Sequence, residues 1–162
     1  MVKMYNEKVF EHFRNPRNFG QIKNPDGIGK AGNLRCGDVM HIFIKIKNDK
    51  IAEIKFKTLG CAAAIATSSM LTDLTKGKTI AEALKIKEQG IVEGLGGLPP
   101  IKIHCSLLAV KALKEAIYDY LSKNKKEIPA ELEEAHQRAK KEVEVAEEKC
   151  QFLTKKQLSK KF

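Results

Sequence analysis

Residues 39–58 have the sequence VMHIFIKIKNDKIAEIKFKT. Apolar side chains occupy every second position of the first half: Met40, Ile42, Ile44 and Ile46. The second half alternates apolar with charged side chains, and its apolar set is Ala52, Ile54 and Phe56. Asn48 and Asp49 between the halves supply a turn. The pattern predicts an antiparallel hairpin with one apolar and one solvent-exposed face, typical of a small sheet covered on one side.

The chain after the hairpin has helical character. Residues 61–76 and 105–121 carry apolar side chains at helical spacing and predict two long helices. Thr79 can cap a short helix that runs to about Glu88. Residues 90–100, GIVEGLGGLPP, are too rich in Gly and Pro for a regular element, so we expect a shaped loop there.

The chain before the hairpin predicts one helix and one long connection. Residues 4–14 have helical apolar spacing that ends at Asn15-Pro16. Residues 15–33 are rich in Asn, Pro and Gly and predict an extended loop. Strands followed by helices indicate an α+β fold, with helices packed on one face of a small antiparallel sheet. We assign this unit to residues 1–121.

Residues 122–162 form a basic C-terminal extension. Pro129 fits the first turn of an additional helix. Apolar residues then recur every three or four positions: Leu132, Ala135, Ala139, Val143, Ala146, Cys150 and Leu153. The seam is narrow and rich in alanine, so we expect the extra helix to pack on the core or on a neighbouring subunit.

The composition excludes several classes of protein. The chain is 43% hydrophobic and 31% charged, as expected for a folded domain. The net charge of +10 suggests nucleic acid as a partner, but only 6% of residues are aromatic and no binding motif accompanies the charge. The first ten residues lack the apolar region of a secretory signal, and the longest apolar run covers only residues 61–66. We therefore expect a cytoplasmic protein without a membrane partner.

Three of the four cysteines lie where one element gives way to another. Cys36 precedes the first strand of the hairpin, whereas Cys61 and Cys105 lie at the starts of the two long helices. The N-terminus of a helix presents unpaired N–H groups and a partial positive charge, which favour a thiolate over a thiol. Because no CxxC pair is present, a shared site would have to be assembled by folding.

Two potential ligands accompany these cysteines. Asp38 follows Cys36 by two residues, and His104 directly precedes Cys105. Three sulfurs with one histidine suit zinc, whereas iron–sulfur clusters normally take four thiolates. Either metal can use three sulfurs and one harder ligand, and a cluster would then hold one iron less firmly. Such a site is poor for a permanent cofactor and useful for transfer.

The other candidate ligands are expected to be structural. Cys150 falls on the apolar seam of the extension. His12 is predicted to be a packing or turn residue, and His41 and His136 to be structural or solvent-facing.

Four motifs in order resemble the IscU/NifU-type iron–sulfur cluster assembly scaffolds. They are YNEKVFEHFRNPRNFG (5–20), GNLRCGD (32–38), GCAAAIATSS (60–69) and LPPIKIHCSLLA (98–109). The resemblance covers residues 1–121 and implies a small antiparallel sheet with helices. It also implies a scaffold and carrier, not an enzyme, on which a labile [2Fe–2S] cluster is built from iron and sulfur and then passed to apo-proteins.

The resemblance also implies roles for specific residues. Cys36, Cys61 and Cys105 would bind the transient [2Fe–2S] cluster and Fe²⁺, and Zn²⁺ can occupy the same site. Asp38 and His104 are the candidate fourth ligands. Cys105 also matches the usual persulfide acceptor. Lys102, in the loop that leads to Cys105, matches a family residue near the cluster.

Partners follow from the same resemblance. They are a cysteine desulfurase, an electron donor such as a ferredoxin, and apo iron–sulfur acceptor proteins. A DnaK-type chaperone and its J-protein would bind through Leu98–Lys102, where LPPIK replaces the usual LPPVK and leaves that partnership open. A homodimer is compatible with the tail seam. The alternative function is a zinc-binding sulfur-acceptor protein that uses the same three cysteines.

Overall fold

The computed structural model describes residues 4–32 and 37–159, and Cys36 lies outside them. The strands are β1 (Gly27–Gly32), β2 (Val39–Lys47) and β3 (Lys50–Leu59). The helices are α1 (Glu7–Arg14), α2 (Ala62–Thr75), α3 (Ile80–Leu84), α4 (Glu88–Gly94), α5 (Ile103–Lys123) and α6 (Ala130–Ser159), with a 3₁₀ turn at Pro100–Lys102. The fold is the predicted α+β arrangement with an extra C-terminal helix. Within these ranges no helix is both long enough and apolar enough to span a bilayer.

The sheet is an antiparallel meander in the order β1-β2-β3. Its apolar face packs mainly against α5 and α2, and α1 packs on α2. The strand side chains with no more than 2% exposure are Ala31, Met40, Ile42, Ile44, Ile51, Ile54 and Phe56. Burial of each large side chain contributes about 1.5–3 kcal/mol, so the predicted hairpin provides much of the core.

One strand position differs from the prediction. Ala52, expected on the apolar face, is exposed, and Ile51 is fully buried instead. The register between β2 and β3 shifts between Lys45 and Ile46, where a bulge interrupts the alternation. The shift moves Ile51 to the core side and Ala52 to the solvent side.

The predicted loop 15–33 contains the strand β1, so that part of the prediction was wrong. Glycine is normally depleted in strands. Here it allows close packing, because a Cβ at Gly29 would lie 1.9 Å from the Ala112 carbonyl oxygen of α5. A Cβ at Gly27 would likewise lie 2.2 Å from the Ala116 carbonyl oxygen.

The predicted loop 90–100 was also partly wrong, because α4 occupies Glu88–Gly94. The preceding helix α3 ends at Leu84, earlier than predicted, and begins with a capping box between Thr79 and Glu82. Ile91 and Leu95 are fully buried, and this packing overrides the low helix propensity of the glycines in α4.

The extension packs on the core, one of the two outcomes expected for it. The helix α6 lies against α5 and β1. Leu132 and Ala139 of the predicted seam are 3% and 6% exposed. His136 stacks on Tyr118 with ring centroids 3.7 Å apart, and its Nδ1 lies 2.7 Å from Glu115 Oε2.

Candidate functional site

Three segments converge at one end of the sheet. Asp38 directly precedes β2, Cys61 follows β3 and is the N-cap of α2, and Cys105 lies in the first turn of α5. Val39 pairs with Leu59, so the start of β2 lies beside the end of β3. Because α2 and α5 pack on each other, the beginnings of both helices reach the same end.

The three side chains form a compact group. One ligand atom each from Asp38, Cys61 and Cys105 lies within 4.8 Å of the others. The Sγ atoms of Cys61 and Cys105 are 3.9 Å apart, and Cys61 Sγ lies 4.0 Å from Asp38 Oδ2. Asp38 is 6% exposed and Cys105 is fully buried, whereas Cys61 is half-buried. The group is therefore open to solvent mainly at Cys61.

These distances fit metal coordination. Two thiolates bound to one tetrahedral zinc at about 2.3 Å are about 3.8 Å apart. The observed Sγ–Sγ distance of 3.9 Å is close to that value. A carboxylate oxygen with two sulfurs is a donor set that zinc or iron can use, so the group fits a thiolate-bound metal.

His104 and Lys102 border this group. His104 Nε2 lies 3.6 Å from Cys105 Sγ, near enough to approach a metal bound there. Lys102 ends the 3₁₀ turn before α5. Negative charge on Cys61 is the largest cause of a raised pKa at Lys102, and Tyr5, Cys105 and Asp38 add to it. The Lys102 ammonium group therefore places positive charge beside the cluster of Asp38, Cys61 and Cys105.

Cys36, the remaining predicted thiol of the site, lies outside the described residues. Its neighbour Gly37 has a φ of +69°, in the left-handed region that favours glycine. The chain then reaches Asp38, whose carboxylate lies beside Cys61.

Tyr5, which begins the first quoted motif, is coupled electrostatically to the site cysteines. Burial raises the pKa of Tyr5, and negative charge on Cys61 and Cys105 adds to that effect. The adjacent Asn6 caps α1 through its side-chain oxygen and donates from Nδ2 to the Leu95 carbonyl at 2.9 Å. These contacts hold the start of α1 near the loop that leads to the site.

Gly60 is a residue that was missed. A Cβ at this position would lie 2.9 Å from Asp38 Cγ and 3.0 Å from the Cβ of the buried Ala64. The missing side chain leaves room for the Asp38 carboxylate beside Cys61.

The other histidines have the structural roles expected of them. His12 is 4% exposed, and its Nδ1 lies 2.7 Å from Ser69 Oγ, which ties α1 to α2. His41 lies in β2 opposite Lys30 and Lys57, and His136 packs between α5 and α6.

The fold and the site together define a small α+β protein with two thiols and a carboxylate poised to bind metal at one end of its sheet. The sequence profile of the NifU-like N terminal domain matches residues 4–127. The chain belongs to this family.

Named relatives agree with the assignment. The iron–sulfur cluster assembly scaffold proteins IscU 1 and IscU 2 of Archaeoglobus fulgidus are each 60% identical over 123 residues, which cover 76% of this chain and 80% of theirs. The scaffold protein IscU of Aquifex aeolicus is 53% identical over 121 residues, covering 74% of this chain and 77% of its own.

A solved structure extends the agreement to three dimensions. It is the Fervidobacterium islandicum protein named as an iron–sulfur cluster assembly scaffold for the SUF system, with a TM-score of 0.60 and 26% sequence identity. The match covers 70% of this chain and 96% of that one.

Proposed function

We propose that this chain is a scaffold on which an iron–sulfur cluster is assembled and from which it is transferred. The convergence of Asp38, Cys61 and Cys105 within 4.8 Å carries the proposal. Relatives with 53–60% identity are named iron–sulfur cluster assembly scaffold proteins. The assembled cluster is cargo that leaves the protein.

The proposed ligands of a [2Fe–2S] cluster are Cys36, Cys61 and Cys105, with Asp38 or His104 as the fourth. The short sulfur–sulfur distance supports the Cys61–Cys105 pair. Asp38 is the better placed fourth ligand, since its carboxylate belongs to the compact group. His104 approaches only the Cys105 sulfur at 3.6 Å. Fe²⁺ would enter the same site, and Zn²⁺ can occupy it before assembly.

Cys105 is the proposed acceptor of sulfur from a cysteine desulfurase. Its thiolate attacks the outer sulfur of the desulfurase persulfide, the S–S bond to the donor cysteine breaks, and that cysteine leaves as a thiolate. Two electrons from a donor such as a ferredoxin then cleave the new persulfide to sulfide and restore the Cys105 thiolate. Because Cys105 is fully buried, docking of the desulfurase must first expose its sulfur.

The scaffold unit is proposed to be residues 1–121, with residues 122–162 as an extension. Cluster donors and apo iron–sulfur acceptors would approach the end that carries the thiols. A DnaK-type chaperone with its J-protein would bind the segment Leu98–Lys102, in which Ile101 is 74% exposed. We place the protein in the cytoplasm, because the proposed chemistry needs thiols kept reduced.

Asp38 is the proposed exchange ligand. A carboxylate is a harder ligand than a thiolate. Its bond to iron is therefore the one that an acceptor thiol displaces most readily. Asp38→Ala should therefore slow cluster transfer to an apo-ferredoxin, followed by circular dichroism. Unchanged or faster transfer would exclude Asp38 from this role, and a matched His104→Ala variant tests the competing ligand.

The first experiment measures iron, zinc and acid-labile sulfide, with a visible spectrum, in protein purified without oxygen. We expect iron and sulfide in equal amounts, and charge-transfer bands that vanish in Cys36→Ser, Cys61→Ser and Cys105→Ser. Cys150→Ser is the matched control and should keep the bands. Zinc that ferrous iron and a desulfurase cannot replace would contradict the scaffold function and favour a zinc-binding sulfur acceptor.

A further inference from the structure

The extension runs antiparallel to the helix that carries Cys105. Two hydrogen bonds join α6 to α5. His136 Nδ1 lies 2.7 Å from Glu115 Oε2, and Lys111 Nζ donates to Glu142 Oε2 at 2.7 Å. Residues farther along α6 therefore meet residues nearer the start of α5. Leu132 and Ala139 of α6 are also buried, and α6 packs on both α5 and β1.

The helix α6 is longer than the helix on which it packs. It has 30 residues, against 21 in α5. With the same rise in both helices, the two pairs place position 149 of α6 level with Ile103, the first residue of α5. Residues 150–159 then extend about 15 Å beyond that level, at 1.5 Å per residue. The end of α6 thus projects past the end of the core that holds Cys61 and Cys105.

The sequence of this projecting end is basic and partly apolar. Residues 149–159 contain three lysines and no acidic residue, together with one phenylalanine and two leucines. Exposed apolar side chains also lie at the same end of the core, where Leu59 is 77% and Ile101 is 74% exposed. The family match ends at residue 127, so the projecting end is an addition to the family domain.

We propose that the C-terminal end of α6, from Lys149 to Ser159, is a docking element for an acidic protein that receives the cluster. An acceptor must bring its thiols to the end of the molecule that carries Cys61, and there it meets the lysine-rich helix. Opposite charge speeds such an encounter. A second copy of the chain would bring the same three lysines, so charge favours an acidic partner over self-association. The inference rests on the proposed scaffold function.

The test uses the full chain with Lys149, Lys155 and Lys156 each changed to glutamine, and an apo-[2Fe–2S] ferredoxin with an acidic surface as probe. The matched control changes Lys76, Lys78 and Lys85, three exposed lysines beyond the far end of α2. Both triple variants lose the same charge. Affinity for the ferredoxin is measured by fluorescence anisotropy with the cluster-free chain, and transfer is followed by circular dichroism.

The C-terminal triple variant should bind and transfer about tenfold more weakly at low salt, and the difference should disappear at high salt. The control variant should remain within about twofold of the unchanged chain. Equal effects of the two variants, or none, would overturn the proposal. Lost self-association with unchanged ferredoxin affinity would also overturn it and assign the segment to a second copy.

Failure of the scaffold function is a separate result. A chain that takes up no iron and sulfide fails the proposed function, whereas the anisotropy measurement on the cluster-free chain still decides whether the lysines bind the acidic partner.

Discussion

Replacing Gly60 with alanine would place a methyl group against the Asp38 carboxyl. The new Cβ would lie 2.9 Å from Asp38 Cγ and 3.1 Å from Asp38 Oδ1, whereas ordinary contacts begin at 3.4 Å. Ala64, at 3.0 Å on the other side, is fully buried in α2 and cannot yield easily. The Asp38 side chain must therefore withdraw by at least about 0.5 Å, since overpacked groups move where the structure yields most readily.

The withdrawal should move the Asp38 carboxyl away from the site, so its effect on transfer should have the same direction as that of Asp38→Ala. Asp38 Oδ2 now lies 4.0 Å from Cys61 Sγ, and the new methyl group disturbs that geometry. Changes beside a metal ligand typically alter metal affinity or activity by 10- to 100-fold, so transfer should slow by about tenfold. The fold should survive, because overpacking of this size costs about 1–3 kcal/mol.

The assay is the transfer rate to an apo-ferredoxin in four chains: unchanged, Gly60→Ala, Asp38→Ala and the double variant. If the methyl group acts through the carboxyl, Gly60→Ala slows transfer in the unchanged chain and has no further effect once Asp38 is truncated. Gly90→Ala is the control, because a Cβ at Gly90 meets nothing within 4 Å. An equal further loss in the Asp38→Ala background would refute the reasoning.

Two further predictions concern the frame of the site and its dependence on pH. Gly29→Ala drives a methyl group to 1.9 Å from the Ala112 carbonyl oxygen, so urea denaturation should show a loss of about 3 kcal/mol or more. Gly90→Ala should change stability by no more than about 1 kcal/mol, and a similar result for Gly29→Ala would contradict the close packing of β1. Burial holds the pKa of His12 below its usual 6.5. The unfolded chain therefore takes up a proton first as the pH falls, so the unfolding free energy should be level above about pH 6.5 and decrease below it. In His12→Gln this decrease should be smaller, and an unchanged slope would exclude His12 as its source.

The parts of the fold that were predicted correctly have strong periodicity. Met40, Ile42 and Ile44 keep their alternate, core-facing positions because one side of the sheet is buried and the other is solvent-exposed. The strand β1 and the helix α4 were missed because glycine has low intrinsic preference for either element. In both, the reason for glycine is a neighbouring element: Gly29 touches α5, and a Cβ at Gly94 would lie 2.9 Å from Met70 Sδ of α2.

The same distinction applies to the site. Asp38, Cys61 and Cys105 were candidates because their side chains carry recognisable chemistry at element boundaries. Tyr5 and Gly60 have no such signal. The role of Gly60 depends on its distances to Asp38 and Ala64, which only the packing of the elements determines.

The position of the proposed ligands is compatible with a protein that both holds and releases a cluster. Asp38 precedes a strand, and Cys61 and Cys105 begin helices, so the group is attached to the ends of three elements. The core beneath it is closely packed, with Met40 and Leu113 no more than 1% exposed. Element ends open at lower free energy than core segments. The site can therefore change its ligands while the sheet and helices stay assembled, as a scaffold that gives up its cargo requires.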